Sequence, residues 1–431
     1  MLPVTLFWKY FYRCFILPIL WGGFHVLGLF NRKVRLGLQG RRGLEKRARD
    51  TRASLGDKPL ILFHCASMGE FEALLPITKK LTPKKIALGV IYFSPSAETA
   101  AKESDCFAFA DYSPQDTRRK VRRFLHALRP FALVITKHDV WPNLIWECQS
   151  LGIPVFLVNA SFPVNSRQFW PIVRSFQRSL TMSFRSILAV SPDDAKCARR
   201  ITSQNVPIIV AGDSRYDRVT DHIHRAAAEI PFPQQSFVGR FVLVAGSTHT
   251  RDEEIVLPAV ASVIRRHSHL LCLLVPHDPE PSALKSIQAS CAAAGLDFLL
   301  LSQWRDGAPL GQVLCVDRVG ILAALYELGH LAYVGGGFDK GVHSVLEPMA
   351  YGLPVLSGPN IEVSHEAQVA KTRGILQVAT DADQVEAWIE RLIADERARD
   401  QIGEKARVFM KERLGAAERI VDFLQKELKF P

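Results

Sequence analysis

The apolar run KPLILFHC, residues 58–65, opens a repeating pattern that decides the fold. A Gly-containing loop and a helical segment follow it, and the pattern starts again at RFVLVAGS, residues 240–247. Continuous apolar runs of this length are typical of strands buried on both faces, as in a parallel sheet. The sequence therefore predicts an α/β protein in which strands and helices alternate along two successive halves of the chain.

Further runs of the same character extend both halves. They are IALGVIYF, FALVIT, IPVFLVN, SILAV and VPIIVAG, and then LLCLLVP, DFLLL, QVLCVD, HLAYVGG and LPVLSG. A polar, Pro-bearing stretch at 217–237 separates the halves, and the chain from 381 to 430 has a helical pattern. We expect two doubly wound, Rossmann-like domains, 36–225 and 226–431, facing a cleft, with ligand sites at the carboxyl ends of their strands.

The N-terminal segment, residues 1–35, differs from the rest in both hydropathy and charge. Residues 14–30 form a 17-residue apolar run, at the lower limit for a helix that spans a membrane, and no small-residue cleavage site follows it. Ten basic and two acidic residues lie among the first 50, so eight of the eleven net positive charges are local to this end. We predict an N-terminal membrane anchor, spanning or monotopic; a buried helix is the alternative.

Composition excludes several classes of protein. With 431 residues, 48% of them hydrophobic and 23% charged, the chain is too long for one ordinary domain and is not disordered, collagenous or coiled-coil. Its eight cysteines form no C-x-x-C or zinc-type spacing, which favours reduced core residues in a cytoplasmic body over a nucleophilic Cys65. The positive charge calls for an anionic partner, but no RNA-binding signature appears, so no nucleic acid is expected.

Three motifs of the first half follow predicted strands. In HCASMGE (64–70), Glu70 begins a helix and is either a general base or a helix cap without chemistry. In TKHDVWPNL (136–144), Asp139 lies on a charged loop that is either a site or simply solvated. In AGDSRYDR, Arg215 suits a phosphate, or an ion pair with Asp213 or Asp217.

Two motifs of the second half suit a nucleotide. AGSTHTRDEE (245–254) places the hydroxyls of Ser247 and Thr248 before a helix start, without Walker spacing. YVGGGFDKGVHSVLEPMAYGLPVLSGP (333–359) combines a Gly-rich turn with His343 and a helix that carries Glu347, which could take ribose hydroxyls. A dinucleotide site, whose G-x-G-x-x-G spacing is not met, and a purely structural glycine cluster remain as alternatives.

In their order along the chain, HCASMGE, the Trp-Pro-Asn loop, GDSRYD, AGSTH and GGGFDKGVHSVLEP…GLPVLSGP resemble the Kdo transferases of lipopolysaccharide synthesis. The resemblance covers the N-terminal segment through about residue 370. It implies the GT-B glycosyltransferase fold and transfer of 3-deoxy-D-manno-octulosonic acid (Kdo) from CMP-Kdo to an anionic lipid A precursor. It also implies a place at the cytoplasmic face of the inner membrane, with no metal or other cofactor.

The resemblance also assigns roles to residues. Glu70 matches the family's catalytic base, Asp139 a residue that stabilises the transition state, and Arg215 a basic residue of that same role. The nucleotide contacts that the resemblance implies lie in the second half. They are Pro276, His277, Val319, Gly320, Ile321, Ser344, Val345, Leu346 and Glu347, to which the motifs themselves add Ser247, Thr248, Gly336, Gly337 and His343.

Four of these positions depart from the family pattern. Asp139 replaces a Glu, His277 an Arg, Ile321 a Glu and Ser344 an Asn. Alternatives are an enzyme of the same fold that uses another nucleotide sugar, such as a UDP-sugar transferase or epimerase, a diverged inactive member of the family, and a nonenzymatic RNA- or membrane-binding protein.

Overall fold

The computed structural model describes residues 2–82, 85–137, 140–162, 169–226, 230, 234–305 and 307–430. It contains two compact units, one of residues 1–218 with 414–431 and one of residues 219–413. Each unit holds one parallel sheet of seven strands. The α/β fold class predicted from the sequence is confirmed.

Four α-helices and one π-helical turn precede the first sheet. Helix α1 (Leu2–Phe11) continues through the π-helical turn at Tyr12–Ile16 into α2 (Leu17–Phe30). Helices α3 (Arg32–Gly40) and α4 (Leu44–Leu55) follow. Within the described residues one helix is long and apolar enough to cross a membrane, Val4–Phe30, with a mean hydropathy of 1.5.

The first sheet contains β1 (Leu60–Cys65), β2 (Ala87–Tyr92), β3 (Phe109–Tyr112), β4 (Ala132–Thr136), β5 (Val155–Ala160), β6 (Ser186–Ala189) and β7 (Ile208–Val210). The strands lie in the order β3-β2-β1-β4-β5-β6-β7. Its helices are α5 (Met68–Leu81), α6 (Glu98–Glu103), α7 (Arg118–Leu128), α8 (Pro142–Ser150), α9 (Pro171–Thr181), α10 (Pro192–Ile201) and α11 (Ser214–Ala226).

The second sheet contains β8 (Phe241–Thr248), β9 (Leu270–Pro276), β10 (Phe298–Leu300), β11 (Val313–Cys315), β12 (Leu331–Val334), β13 (Val355–Ser357) and β14 (Leu376–Val378), in the order β10-β11-β9-β8-β12-β13-β14. Its helices are α12 (Thr250–Arg266), α13 (Pro281–Ala293), α14 (Leu322–Leu325), α15 (Leu346–Ala350), α16 (His365–Thr372), α17 (Ala382–Ala394) and α18 (Glu396–Lys411). The last helix, α19 (Ala416–Leu428), belongs to the first unit.

Helices cover both faces of each sheet, which explains the continuous apolar runs. On β1, Leu60 and Leu62 join one buried cluster, while Ile61 and Phe63 join the cluster on the opposite face. Strands with no solvent-facing side lose the period-2 alternation of polar residues. The predicted strands are present, and the structure adds β3 and β14, which are short and were not predicted.

The ends of the second unit differ from the predicted range of 226–431. The chain passes from the first unit to the second at Arg218, within α11, and returns at Leu414. Helix α19 lies in the first unit because its apolar face, with Ile420 and Leu424, packs in the cluster that contains Phe63. Sequence periodicity identifies such a helix but does not say which sheet its apolar face covers.

Candidate active site

Glu70 lies in the first turn of α5, directly after β1. Its side chain is buried, and Oε2 accepts a hydrogen bond of 2.6 Å from the backbone N–H of Ala66. The loop Ala66–Ser67 thus fixes the carboxylate at the carboxyl end of a central strand, the edge at which open α/β sheets bind ligands. A buried, oriented carboxylate at this edge suits the abstraction of a proton from a substrate hydroxyl.

The other two predicted catalytic residues have different outcomes. Asp139 lies outside the described residues. Arg215 pairs with Asp213, since its Nε and Nη2 lie 2.9 and 2.6 Å from Oδ2. This is one of the ion pairs that the sequence left open as an alternative to a phosphate contact.

In the second unit, glycines let backbone segments approach closely at the carboxyl edge of the sheet. A Cβ on Gly335 would lie 2.2 Å from the carbonyl oxygen of Ser247, and one on Gly337 would lie 2.6 Å from the backbone nitrogen of Gly358. Gly336 has a φ of 86°, in the left-handed region. The turn after β12 therefore needs glycine at these positions, and the space beside them is filled by protein backbone, which fits the structural alternative for this glycine cluster.

Asp252 ties this turn to the start of α12. Its buried carboxylate accepts hydrogen bonds from the hydroxyl of Tyr333 (2.7 Å) and from the backbone N–H groups of Gly336 (2.8 Å) and His249 (2.9 Å). The sequence showed only an acidic helix start here and did not single out Asp252. The signal was present, because a carboxylate at the third position of a helix often accepts from the residue before the helix.

The predicted hydroxyl contacts have different surroundings. The hydroxyl of Thr248 is buried and donates to Oε1 of Glu253 at 2.9 Å, so its proton is already engaged within the protein. Ser247 is half-buried and has a φ of 53°, an uncommon conformation for a residue with a side chain. It turns the chain from β8 toward α12.

Three histidines come together at the ends of neighbouring strands. His249 follows β8, His277 follows β9, and His343 lies in the loop after β12. The Nε2 atoms of His249 and His343 are 2.8 Å apart, and the rings of His277 and His343 stack with centroids 4.4 Å apart. Burial, with smaller contributions from His277 and His249, lowers the pKa of His343 to about 4, so His343 is neutral at pH 7. The sequence named His277 and His343 but missed His249.

The remaining predicted nucleotide residues lie on two loops of the same unit. Val319 and Gly320 are exposed after β11, and Ile321 is buried at the start of α14. Ser344 is exposed before the short helix α15, where Val345 and Leu346 are buried and Glu347 is half-buried in the first turn. Pro276 is the buried last residue of β9.

The first unit carries an apolar cavity beside a basic groove. The cavity, about 180 Å³, is lined by residues that include Trp21, Phe24, Phe93 and Trp141. The groove, about 800 Å³, shares Trp21, His25, Leu38 and Arg41 with it. Its basic lining residues are Arg35, Arg41, Arg42, Lys46, Arg49, Lys120 and Arg123, and its acidic one is Glu45. An apolar cavity that adjoins a positive groove suits an anionic amphiphile.

Comparison with known proteins identifies the family. Residues 36–218 match the family described as 3-deoxy-D-manno-octulosonic-acid transferase (kdotransferase). A 3-deoxy-D-manno-octulosonic acid transferase of Aquifex aeolicus is 31% identical over 304 residues, 70% of this chain and 76% of that protein. The chain belongs to this family. Membership makes the chain a glycosyltransferase and confirms the resemblance seen in the motifs.

Other comparisons extend over the rest of the transferase. A 3-deoxy-D-manno-octulosonic acid transferase of Haemophilus influenzae is 25% identical over 435 residues, 98% of this chain and 99% of that protein. Among solved structures, a UDP-GlcNAc 2-epimerase from Neisseria meningitidis aligns with a TM-score of 0.60 over 86% of this chain and 100% of its own, at 15% identity. MurG of Acinetobacter baumannii aligns with a TM-score of 0.56 over 85% and 99%, at 13% identity. These two likenesses concern the fold alone, which is GT-B.

Proposed function

We propose that this transferase moves Kdo from CMP-Kdo to an anionic lipid A precursor in lipopolysaccharide synthesis. The observation that carries the proposal is the 31% identity to the Aquifex aeolicus 3-deoxy-D-manno-octulosonic acid transferase across 76% of that protein. Two features of the chain support it. A buried carboxylate lies at the sheet edge of the first unit, and a tightly packed glycine-rich turn lies at the sheet edge of the second.

Glu70 is the proposed general base. Its carboxylate would take the proton from a sugar hydroxyl of the acceptor while the hydroxyl oxygen attacks the anomeric carbon of Kdo, and CMP would leave from the opposite side with inversion. The hydrogen bond from the Ala66 N–H holds Glu70 in place. Glu70 lies near the N-terminus of α5, and the dipole of this helix favours the ionised carboxylate. The carboxylate is therefore ready to accept a proton.

The second unit is the proposed donor site. The N–H groups of Gly335 and Gly336 donate to Gly246 and Asp252, so the backbone N–H groups of Gly337 and of residues 344–346 would contact the phosphate of CMP. Glu347 would accept from the ribose hydroxyls. The leaving phosphate needs donors fixed before the reaction begins, because preorganised dipoles stabilise developing charge without reorganisation. The three hydrogen bonds accepted by Asp252 supply that rigidity to the turn.

The first unit is the proposed acceptor site. A glycolipid with phosphate groups presents anionic headgroups and acyl chains together, and the basic groove beside the apolar cavity offers a complement to each. Arg41 lines both. Its guanidinium donates to the carbonyl oxygens of Ser113 and Phe93, so it is held at the boundary between apolar and charged regions.

We further propose that the protein attaches to the cytoplasmic face of the inner membrane monotopically, through one side of Val4–Phe30. The other side of this helix contacts the first unit: Trp8 donates to Ser175 at 3.0 Å, and Tyr12 donates to the buried Asp116 at 2.9 Å. Arg13 lies 3.0 Å from Glu147. A spanning helix would have to carry these residues into the bilayer and break the contacts, which leaves buried polar groups unpaired.

Substitution of Glu70 tests the chemical step. Glu70→Gln keeps the size of the side chain and its ability to accept from Ala66 but cannot take a proton, so we expect kcat to fall by about 10²- to 10⁴-fold with CMP binding unchanged. Glu72→Gln, on the same helix, is the matched control and should keep near-wild-type turnover. Turnover would be followed by mass spectrometry of a lipid A precursor incubated with CMP-Kdo. A Glu70→Gln rate close to wild type would rule out the base assignment.

Nucleotide selectivity tests the donor. CMP should raise the melting temperature of the protein and UDP should not, because mass action stabilises only a protein that binds the added ligand. Stabilisation by UDP with none by CMP would instead favour a UDP-sugar enzyme of the same fold.

A further inference from the structure

The three histidines at the carboxyl edge of the second sheet form a cluster that the proposed transfer does not use as such. One ligand nitrogen from each of His249, His277 and His343 lies within 4.8 Å of the other two. Among the described residues this is the one group of three or more metal-ligating side chains with that spacing. The order β9-β8-β12 makes the strands that precede the three residues direct neighbours.

Hydrogen bonds from their backbone N–H groups hold the main chain of the three histidines in place. The N–H of His277 donates to the carbonyl oxygen of Thr248 at 2.9 Å, and the N–H of His343 donates to that of Gly335 at 3.0 Å. The N–H of His249 donates to the carboxylate of Asp252. The three Cα positions are therefore held by the sheet and its turns, and only side-chain rotation remains. Formation of a metal site here would therefore require rotation of side chains and no movement of the backbone.

We propose that His249, His277 and His343 form a binding site for a divalent transition-metal ion, with a fourth position open to solvent. Three imidazole ligands with one open position are a known arrangement for catalytic zinc. Imidazole suits zinc, copper and nickel, whereas magnesium and calcium prefer oxygen ligands. The site would thus select among metals by ligand type.

The geometry is close to what such an ion requires. Zinc–nitrogen bonds of about 2.0–2.1 Å in a tetrahedral site put ligand nitrogens about 3.3 Å apart. The Nε2 atoms of His249 and His343 are 2.8 Å apart and would separate slightly to admit the ion. The rings of His277 and His343 are nearly parallel, at 20°, so His277 must turn to aim its lone pair at the same point. His277 is exposed, so its ring can turn toward solvent-accessible space when it leaves its stacking contacts with His249 and His343.

The surroundings favour a cation. The carboxylates of Asp252 and Asp278 both act on His343 with a field that favours positive charge. The proposal departs from the expectation, taken from the family resemblance, that no metal takes part.

The role of the ion rests on the proposed function. A phosphate oxygen of CMP would occupy the fourth position, and the ion would add positive charge at the carboxyl edge where nucleotide binding is proposed. The metal site itself does not depend on this role, because its ligands come from the protein alone. Metal binding and nucleotide binding can therefore be measured separately.

The first experiment measures metal binding without nucleotide. Full-length protein is stripped with a chelator and titrated with Zn²⁺ by calorimetry, and with Co²⁺ while visible absorption is recorded. We expect one tight equivalent in the wild type and the intense absorption of four-coordinate Co²⁺. His277→Ala and His249→Ala should each weaken Zn²⁺ binding at least tenfold. The matched control is His365→Ala, at the exposed start of α16, which should leave binding unchanged.

The same titration can overturn the proposal. Equal Zn²⁺ affinity in wild type, His277→Ala and His249→Ala would show that ordinary surface histidines bind the ion. Because His277 is exposed, its substitution leaves the core intact, and circular dichroism checks that both variants fold. His277→Arg separates metal from charge, since it removes a ligand and puts a permanent positive charge in its place.

The second experiment tests the phosphate role. CMP affinity should rise at least tenfold when Zn²⁺ replaces chelator in the wild type, and should not change with Zn²⁺ in His277→Arg. Tight Zn²⁺ binding with no effect on CMP affinity would overturn the phosphate role and leave the metal site established. Absence of CMP binding under both conditions would overturn the proposed donor, while the Zn²⁺ titration would still decide the metal site.

Discussion

His64 is a buried titratable residue near the carboxyl end of β1. Its ring nitrogens have no hydrogen-bond partner among the described residues, and burial, with a contribution from Arg41, lowers its pKa to about 4. The unfolded chain binds a proton near pH 6.5, so it gains protons before the folded state does. The free energy of unfolding is therefore highest above pH 6.5, where the ring is neutral in both states, and it falls as the pH falls toward 4.

Substitution of His64 should flatten this pH dependence. Between pH 6.5 and 4 the free energy of unfolding of the wild type should fall by about 3 kcal/mol relative to His64→Leu, at about 1.4 kcal/mol per unit of pKa shift. Urea unfolding of both proteins at several pH values measures the difference. Parallel pH profiles for the two proteins would show that His64 does not titrate as described.

Residues differ in how far the sequence could place them. Glu70 was predicted because a strand, a small-residue turn and a helix start are adjacent in the chain. Asp252 had a local signal only for its bond to His249; its partners Tyr333 and Gly336 are about 80 positions away along the chain, and hydrogen bonds over such a separation leave no local pattern. The pairing of Arg215 with Asp213 was foreseen as one of two options, since their contact is local.

At the scale of elements, α19 depends on a cap from a distant helix. Asp217, on α11, accepts from the N–H groups of Gly415 (2.6 Å) and Ala417 (2.8 Å) at the N-terminus of α19. This satisfies donors that the helix itself cannot pair and places a negative charge at the positive end of its dipole. The sequence predicted α19 but not this cap, because 198 positions separate Asp217 from Gly415.

Removal of the cap should loosen the first unit. Asp217→Ala should cost about 1–2 kcal/mol, as for other helix caps, and lower the melting temperature by about 2–8 °C. Asp221→Ala, an exposed position on the same helix, is the control and should melt like the wild type. Calorimetry on both variants makes the comparison. A loss as large for Asp221→Ala would point to α11 itself and not to the cap.

At the scale of the whole molecule, much of the positive charge lies beside the apolar N-terminal helix. Exposed apolar side chains such as Leu29 and Phe30, at 70% and 84% exposure, lie next to the basic helix α3. The sequence located this region but left spanning and monotopic attachment open. The helix Val4–Phe30 contacts Ser175, Asp116 and Glu147, and these contacts favour the monotopic form. The sequence does not reveal them, because the partners lie more than 100 residues away along the chain.

Membrane binding should depend on the exposed side of this helix. Leu29→Glu with Phe30→Glu should weaken binding to anionic vesicles more than tenfold, because each buried apolar side chain contributes about 1.5–3 kcal/mol. Val238→Glu, similarly exposed in the second unit, should bind like the wild type.

The side of the membrane on which the N-terminus lies is measured by thiol labelling of a Thr5→Cys variant. This variant also carries Cys14→Ser and Cys106→Ser, which remove the two cysteines that are not buried. Thr5 lines a cavity against α9, so an impermeant thiol reagent should label it equally before and after detergent. Protection until detergent is added would place the N-terminus across the bilayer and contradict the monotopic attachment.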